Sequence, residues 1–294
     1  MLDYNIVWFE DSTRYIEAAK PEVEKYLADL GYALKIVQRK DDTDFAKIMN
    51  ESDVDLILVD QNLRDGKRGD TLIDAIRKNE MYTDAVFYSK DPWPENVIAQ
   101  LQGVFYTQRA TLVDKTKKII LLTLKKNQDI CNIRGQFIAE TIDAVTALED
   151  IISKILKLED EQLIFYNDSF IQEGYIEDMS KHKVVSEFLR QRLEFLNDEV
   201  GKGKKELNGT KTELEGIRTV FKDFADDIIT RRNQLAHSKK VSGKKNTLLV
   251  KNKQKHEFEE WQLTDDECRK IRLTFIKHVN NLDALKKLLD DGKI

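Results

Sequence analysis

The residues best suited to chemistry lie near the end of the chain, in the run Arg231-Arg232-Asn233-Gln234-Leu235-Ala236-His237. Asn233 and His237 are four apart, so on a helix they stack on one face. Arg232 neighbours that face, and its long side chain can swing towards His237. An imidazole is the side chain suited to moving protons both ways near neutral pH. A guanidinium stays charged and can hold two phosphate oxygens at once. RNA carries its own nucleophile, the ribose 2′-hydroxyl. In-line attack on the adjacent phosphate then needs an acid or base and a cation for the developing charge, and no metal. Arg232, Asn233 and His237 are therefore the candidate catalytic residues for cutting a phosphodiester, with Asn233 orienting the phosphate or holding the imidazole.

Directly behind this run, from Ser238 to His256, come Lys239, Lys240, Lys244, Lys245, Lys251, Lys253 and Lys255, with no acidic residue among them. Arg231, Lys239, Lys240, Lys244 and Lys245 are candidate auxiliary RNA contacts. The plainer alternative is a helix C-terminus decorated with cations, which the macrodipole favours in any case. The whole chain is acidic, with a formal net charge of −5. That balance argues against a protein that coats DNA, but it leaves room for a local RNA groove.

A second set of reactive side chains sits in the first half: Glu10 and Asp11, Asp60, and Ser89. The elements around them read as alternating strands and helices. Asn5 to Phe9, Leu34 to Val37, Leu56 to Val59, Ala85 to Tyr88 and Val104 to Tyr106 are short apolar runs. Helical patterns separate or follow them at Thr13 to Leu30, Phe45 to Met49, Thr71 to Lys78, Asn96 to Leu101 and Thr111 to Leu124. Leu56 to Val59 is apolar on both faces, as a central parallel strand should be. Such alternation predicts an α/β doubly wound parallel sheet, with its sites at the carboxyl ends of the strands. Three carboxylates meeting at that edge repel one another unless a hard cation such as Mg²⁺ intervenes.

On these residues, the segment 1–127 resembles a response-regulator receiver domain (receiver/flavodoxin-like). The resemblance implies that Glu10, Asp11 and Asp60 hold Mg²⁺, that Asp60 accepts a phosphoryl group, and that Ser89 is the switch hydroxyl. It implies a histidine kinase as a partner. It departs from the family after strand five, where Phe105-Tyr106-Thr107-Gln108-Arg109 carries no lysine; Arg109 is an imperfect stand-in, because arginine and lysine are not interchangeable as point charges.

With 294 residues the chain is long enough for about two domains. Cys131 and Cys268 form no disulfide framework or zinc spacing, which suits a reducing cytoplasm. The N-terminus lacks signal-peptide order. The apolar run Ile119 to Leu124 is far too short to span a bilayer, so no membrane role is expected.

The remaining residues, 128–294, read as helical. Ile130, Ile133, Phe137, Ile138, Ile142, Val145, Leu148, Ile151, Ile152 and Ile155 recur at helical spacing. Leu163 to Ile171 and Val184 to Leu196 are further amphipathic stretches. Thr210 to Glu213 and Thr264 to Glu267 fit capping boxes, each opening a long helix; Asn246 to Val250 and Phe258 to Leu263 suggest a small hairpin. His182, His256 and His278 are expected at the surface, and Trp8, Trp93 and Trp261 in packing roles.

An all-α helical bundle with Arg232-Asn233-Gln234-Leu235-Ala236-His237 closing its penultimate long helix resembles the HEPN superfamily of helical ribonucleases and toxins. The resemblance implies a homodimer that sets two Arg/His motifs across one cleft, with an acidic residue such as Glu140 or Glu149 near the arginine. It implies a receiver-regulated, metal-independent endoribonuclease, a toxin or antiviral defence effector cutting tRNA or other cellular RNA, with a defence-system partner. The alternative is a non-catalytic HEPN-like RNA-binding or dimerisation module, acting as a signalling scaffold or as partner of another toxin or antitoxin.

Overall fold

The structure is a computed structural model that describes residues 2–40, 53–90, 103–127, 130–157, 177–251 and 257–294. The chain divides into two compact units, Met1–Asp129 and Ile130–Ile294. The expected helices at Phe45 to Met49, Asn96 to Leu101 and Leu163 to Ile171 lie outside the described residues. So do Trp93, Lys253, Lys255 and His256, and residues 128–129, where the units join.

In the first unit a five-stranded parallel sheet has the order β2-β1-β3-β4-β5. Its strands are β1 (Leu2–Phe9), β2 (Tyr32–Arg39), β3 (Leu56–Asp60), β4 (Ala85–Ser89) and β5 (Val104–Gln108). This is the doubly wound, flavodoxin-like order, whose crevice opens where successive connections leave β1 and β3 in opposite directions. Strands β3 and β4 are buried along their whole length, which is why Leu-Ile-Leu-Val and Ala-Val-Phe-Tyr read as unbroken apolar runs. Helices α1 (Thr13–Asp29), α2 (Gly69–Lys78) and α3 (Leu112–Asn127) cover the sheet. One core gathers Ile6, Trp8, Leu58 and Tyr88 under α1 and α3. The other gathers Val7, Phe9, Val59 and Phe87 under α2. Helix α1 starts at the Ser12 cap, whose side chain accepts from the Tyr15 amide, and gives way to Gly31 at φ 84°, the left-handed position glycine fills without cost.

The register fixes the site. Phe9 pairs with Val59, and Val59 with Phe87. The residues that follow, Glu10, Asp60 and the end of β4, therefore stand side by side at one sheet edge.

The second unit is helical around a single apolar core. Its helices are α4 (Ile130–Ile155), α5 (Asp178–Gly201), α6 (Asn208–Phe221), α7 (Arg231–His237) and α8 (Asp265–Asp290). Two expectations change here. The unit is not all-α: the hairpin strands β7 (Thr247–Lys251) and β8 (Phe258–Gln262) are joined by β6 (Lys239–Lys240) in an antiparallel sheet β6-β7-β8. Much of the lysine strip is thus folded structure, anchored by buried Thr247 and Leu248. Helix α6 begins at Asn208 without a side-chain cap, so Thr210 lies inside the helix and not at its boundary. The other box holds, since Thr264 caps α8 and accepts from the Glu267 amide at 3.2 Å.

Candidate functional site

The edge of the parallel sheet carries the first candidate site. Glu10, just past β1, has a side chain with 0% exposure. Its Oε1 accepts from the Ser12 amide at 2.9 Å. Its Oε2 accepts from the Tyr88 hydroxyl at 2.9 Å and from Arg109 Nη2 at 2.8 Å. The Trp8 indole N–H in turn donates to the Tyr88 oxygen at 2.7 Å. Asp60 is buried at the end of β3, with Oδ2 3.6 Å from Arg109 Nη1. Burial, then the Glu10 charge, push its carboxyl up to about 6 against the pull of Arg109. Burial also holds Glu10 above its usual range, opposed by its three donors.

Arg109 itself is 32% exposed. It opens the 3₁₀ turn Arg109–Thr111 between β5 and α3. Its guanidinium carbon lies 4.1 Å from the centre of the Tyr15 ring, and the Tyr15 hydroxyl donates to the Arg109 carbonyl at 2.7 Å. Ser89 shares a 2.8 Å hydrogen bond with the Tyr106 hydroxyl. Asp11 is exposed. Among the described residues, no group of three or more His, Cys, Asp or Glu side chains is arranged to hold a metal ion. Glu10, Asp11 and Asp60 as placed do not fit Mg²⁺, because the cation between Glu10 and Asp60 is a guanidinium and the oxygens of Glu10 are committed to protein donors.

Gly69 is a site residue that the sequence did not reveal. A Cβ there would stand 2.1 Å from the Asp60 carbonyl oxygen and 2.8 Å from Val59 Cγ1. Its amide also donates to the Gln61 carbonyl at 2.9 Å. The start of α2 is thereby pressed against the loop that presents Asp60, at a distance open only to glycine.

The second candidate site is α7. Leu235 is buried and anchors the helix, whereas Asn233 and His237 are exposed on one face. The helix continues a π-helical turn, Ala225–Thr230, packed through Ile228 and Ile229. Turns of this kind recur beside functional sites. His278 of α8 shares a 2.9 Å hydrogen bond with Asp227 in that turn. His278 is buried, with Nδ1 lacking a partner, which corrects its expected surface placement. His182 is half-buried, stacked on Phe221 at 4.8 Å, and burial holds its pKa below the ordinary value.

Arg232 is half-buried and donates from Nη2 to Asp178 Oδ2 at 2.7 Å; its Nε is buried without a partner. Asp178 opens α5 and also lies 3.6 Å from Lys181 Nζ, which pairs with Glu149 of α4 at 2.6 Å. The acidic neighbour of Arg232 is thus Asp178, which sequence reasoning missed; Glu149 stands two steps away through Lys181, and Glu140 is half-buried on α4. The acid at the start of an amphipathic helix was the available signal. Arg134 donates to the Ser238 carbonyl, tying down the end of α7.

Arg231 lies over the Trp261 ring of β8 at 5.4 Å. Lys239 and Lys240 are exposed on β6. Lys244 pairs with Glu260 at 2.5 Å, so its charge is partly offset. Lys245 is exposed in the turn before β7.

No protein-family model and no curated protein matches the chain. Solved structures similar to it include receiver domains, matching about two-fifths of its length. The signal receiver domain of a Luxo repressor protein from Vibrio parahaemolyticus is 21% identical, with 42% of this chain and 92% of that chain covered and a TM-score of 0.36. A CheY-like receiver domain protein from Methanospirillum hungatei JF-1 is 20% identical, with 43% and 99% covered and a TM-score of 0.33. The N-terminal domain of a response regulator/sensory box/GGDEF 3-domain protein from Carboxydothermus hydrogenoformans is 22% identical, with 41% and 94% covered and a TM-score of 0.33. By its own strand order and register, the first unit has the receiver, flavodoxin-like fold. Among the described residues no helix is long and apolar enough to cross a membrane.

Proposed function

We propose that the chain is a receiver-regulated, metal-independent endoribonuclease whose catalytic residues are Arg232, Asn233 and His237. The observation that carries this reading is the presentation of α7: Leu235 holds the helix to the core while Asn233 and His237 face solvent together, with Arg232 fixed beside them by Asp178. The ribose 2′-oxygen attacks phosphorus and loses its proton to a base. The bond from phosphorus to the 5′-oxygen breaks, and that oxygen takes a proton. The products are a 2′,3′-cyclic phosphate and a free 5′-hydroxyl. One imidazole serves one of the two proton transfers at a time. A homodimer that places two copies of α7 across one cleft supplies both. Arg232 balances the charge that grows on the phosphoryl oxygens, and Arg231, Lys239, Lys240, Lys244 and Lys245 attract the RNA backbone. A toxin or antiviral effector acting on tRNA or other cellular RNA in the cytoplasm fits this chemistry. The receiver-like unit would be the input half, acting through the binding of a signalling or defence-system partner.

The test is incubation of purified full-length protein with total RNA in EDTA. The wild type is expected to leave cyclic phosphate ends and His237→Ala to leave none; equal behaviour of the two removes the enzyme reading.

The pairing of Arg232 with Asp178 favours a second reading, in which the helical unit binds RNA or a copy of itself without cutting and serves as a scaffold for another toxin or antitoxin. RNA binding that His237→Ala retains, with cleavage by neither protein, selects it.

A further inference from the structure

We propose that Arg109 is the resident cation of the acidic pocket in the first unit. It takes by covalent attachment the place that an exchangeable divalent ion would need, and so frees this unit from Mg²⁺-dependent phosphoryl transfer onto Asp60. Both oxygens of Glu10 are used: Oε1 by the Ser12 amide, Oε2 by Tyr88 and Arg109. The Tyr88 hydroxyl is itself set by the indole of Trp8, so that donor belongs to a buried network and is not free to turn away. A divalent ion binding at Glu10 would strip these bonds and leave buried donors unpaired, which costs more than a typical hydrogen bond contributes.

The guanidinium has the same logic. Arg109 reaches Glu10 with Nη2 and Asp60 with Nη1, at 2.8 and 3.6 Å. Its planar fork suits two carboxylates at once in a way a lysine ammonium does not. The group is clamped, with the Tyr15 ring against its carbon and the Tyr15 hydroxyl on its own carbonyl. Its charge cannot be removed by any accessible pH, nor diluted as a bound ion can. Mg²⁺ also demands near-octahedral oxygen geometry and gives up its water reluctantly. A half-buried arginine already seated between the carboxylates outcompetes it.

The experiment uses the full chain. Mg²⁺ is titrated calorimetrically and Mn²⁺ by water-proton relaxation, and acetyl phosphate with Mg²⁺ is offered while intact mass is read. The wild type is expected to show no saturable ion binding through the low-millimolar range and no phosphoryl adduct. Arg109→Ala is expected to gain saturable binding, at least about tenfold tighter than any binding by the wild type. The proposal is overturned if the wild type binds either ion in that range, if it takes a phosphoryl group that Asp60→Asn abolishes, or if folded Arg109→Ala gains nothing. Should Arg109→Ala fail to fold, the wild-type titration and the Asp60→Asn mass comparison still decide it.

Discussion

Two arginines in this molecule meet carboxylates at about the same distance and are left with opposite prospects. Arg109 faces Glu10 at 2.8 Å and Asp60 at 3.6 Å, and its chief partner is wholly buried. Among the described residues Arg232 faces Asp178 alone, at 2.7 Å, with both side chains about a quarter exposed. The first pair closes a pocket, because both oxygens of Glu10 are answered from within the fold. The second leaves a guanidinium at the surface beside an exposed amide and imidazole. Distance alone does not separate a committed arginine from an available one here. What separates them is how many of the partner's lone pairs the protein itself has already filled.

The largest expected effect tests the closed pair. Glu10→Ala strands Arg109 and the Tyr88 hydroxyl in the interior and should cost about 3–5 kcal/mol, the range for breaking a buried ion pair. Urea unfolding of the full chain measures it, with loss confined to the transition of the first unit. Gly69→Ala comes next. Its Cβ would meet the Asp60 backbone, which cannot step aside as a flexible side chain could, so a loss of about 1–3 kcal/mol is expected in the same transition. Asp178→Asn should cost about 1–2 kcal/mol, between the ranges for exposed and buried pairs, yet lower RNA cleavage while oligonucleotide binding persists. A stability loss equal to that of Glu10→Ala would erase the contrast between the two arginines.

The smallest effect concerns pH. His182 titrates below its ordinary 6.5 because of burial, so the unfolded chain takes up the proton first. Stability of the helical unit should therefore fall as pH drops through about 6.5 and level off once the folded imidazole is also protonated. His182→Gln should flatten that slope in melts recorded across the range.

Much of the first unit was legible because central parallel strands are apolar on both faces and leave unbroken runs. The same runs placed Glu10, Asp60 and Ser89 at strand ends. The role of Arg109 was not legible. It depends on the 3₁₀ turn after β5 and on the Tyr15 ring, which lies 94 residues away in sequence. Gly69 was hidden for a similar reason, since a close backbone approach leaves no trace in local pattern. His278 should have been read correctly: with Phe275, Leu282 and Leu285 it shares the buried spacing of α8, and its polarity outweighed that periodicity. Strand β6 at Lys239 and Lys240 was not legible, because two-residue strands carry no signal of their own; it exists through its pairing with Leu248 and Leu249.

The wide turn at Ala225–Thr230 acts as a phase shifter. Because it winds one residue more into each turn, every residue after it points about 100° away from where an uninterrupted α-helix of the same number of residues would aim it. Rewinding that stretch as plain α-helix with its residue number unchanged would wheel Asn233 and His237 round the axis and bring a different side chain to Leu235's place in the core. The same seven letters would then spell an inert surface helix, so the ability of this stretch to act on anything is written upstream of it.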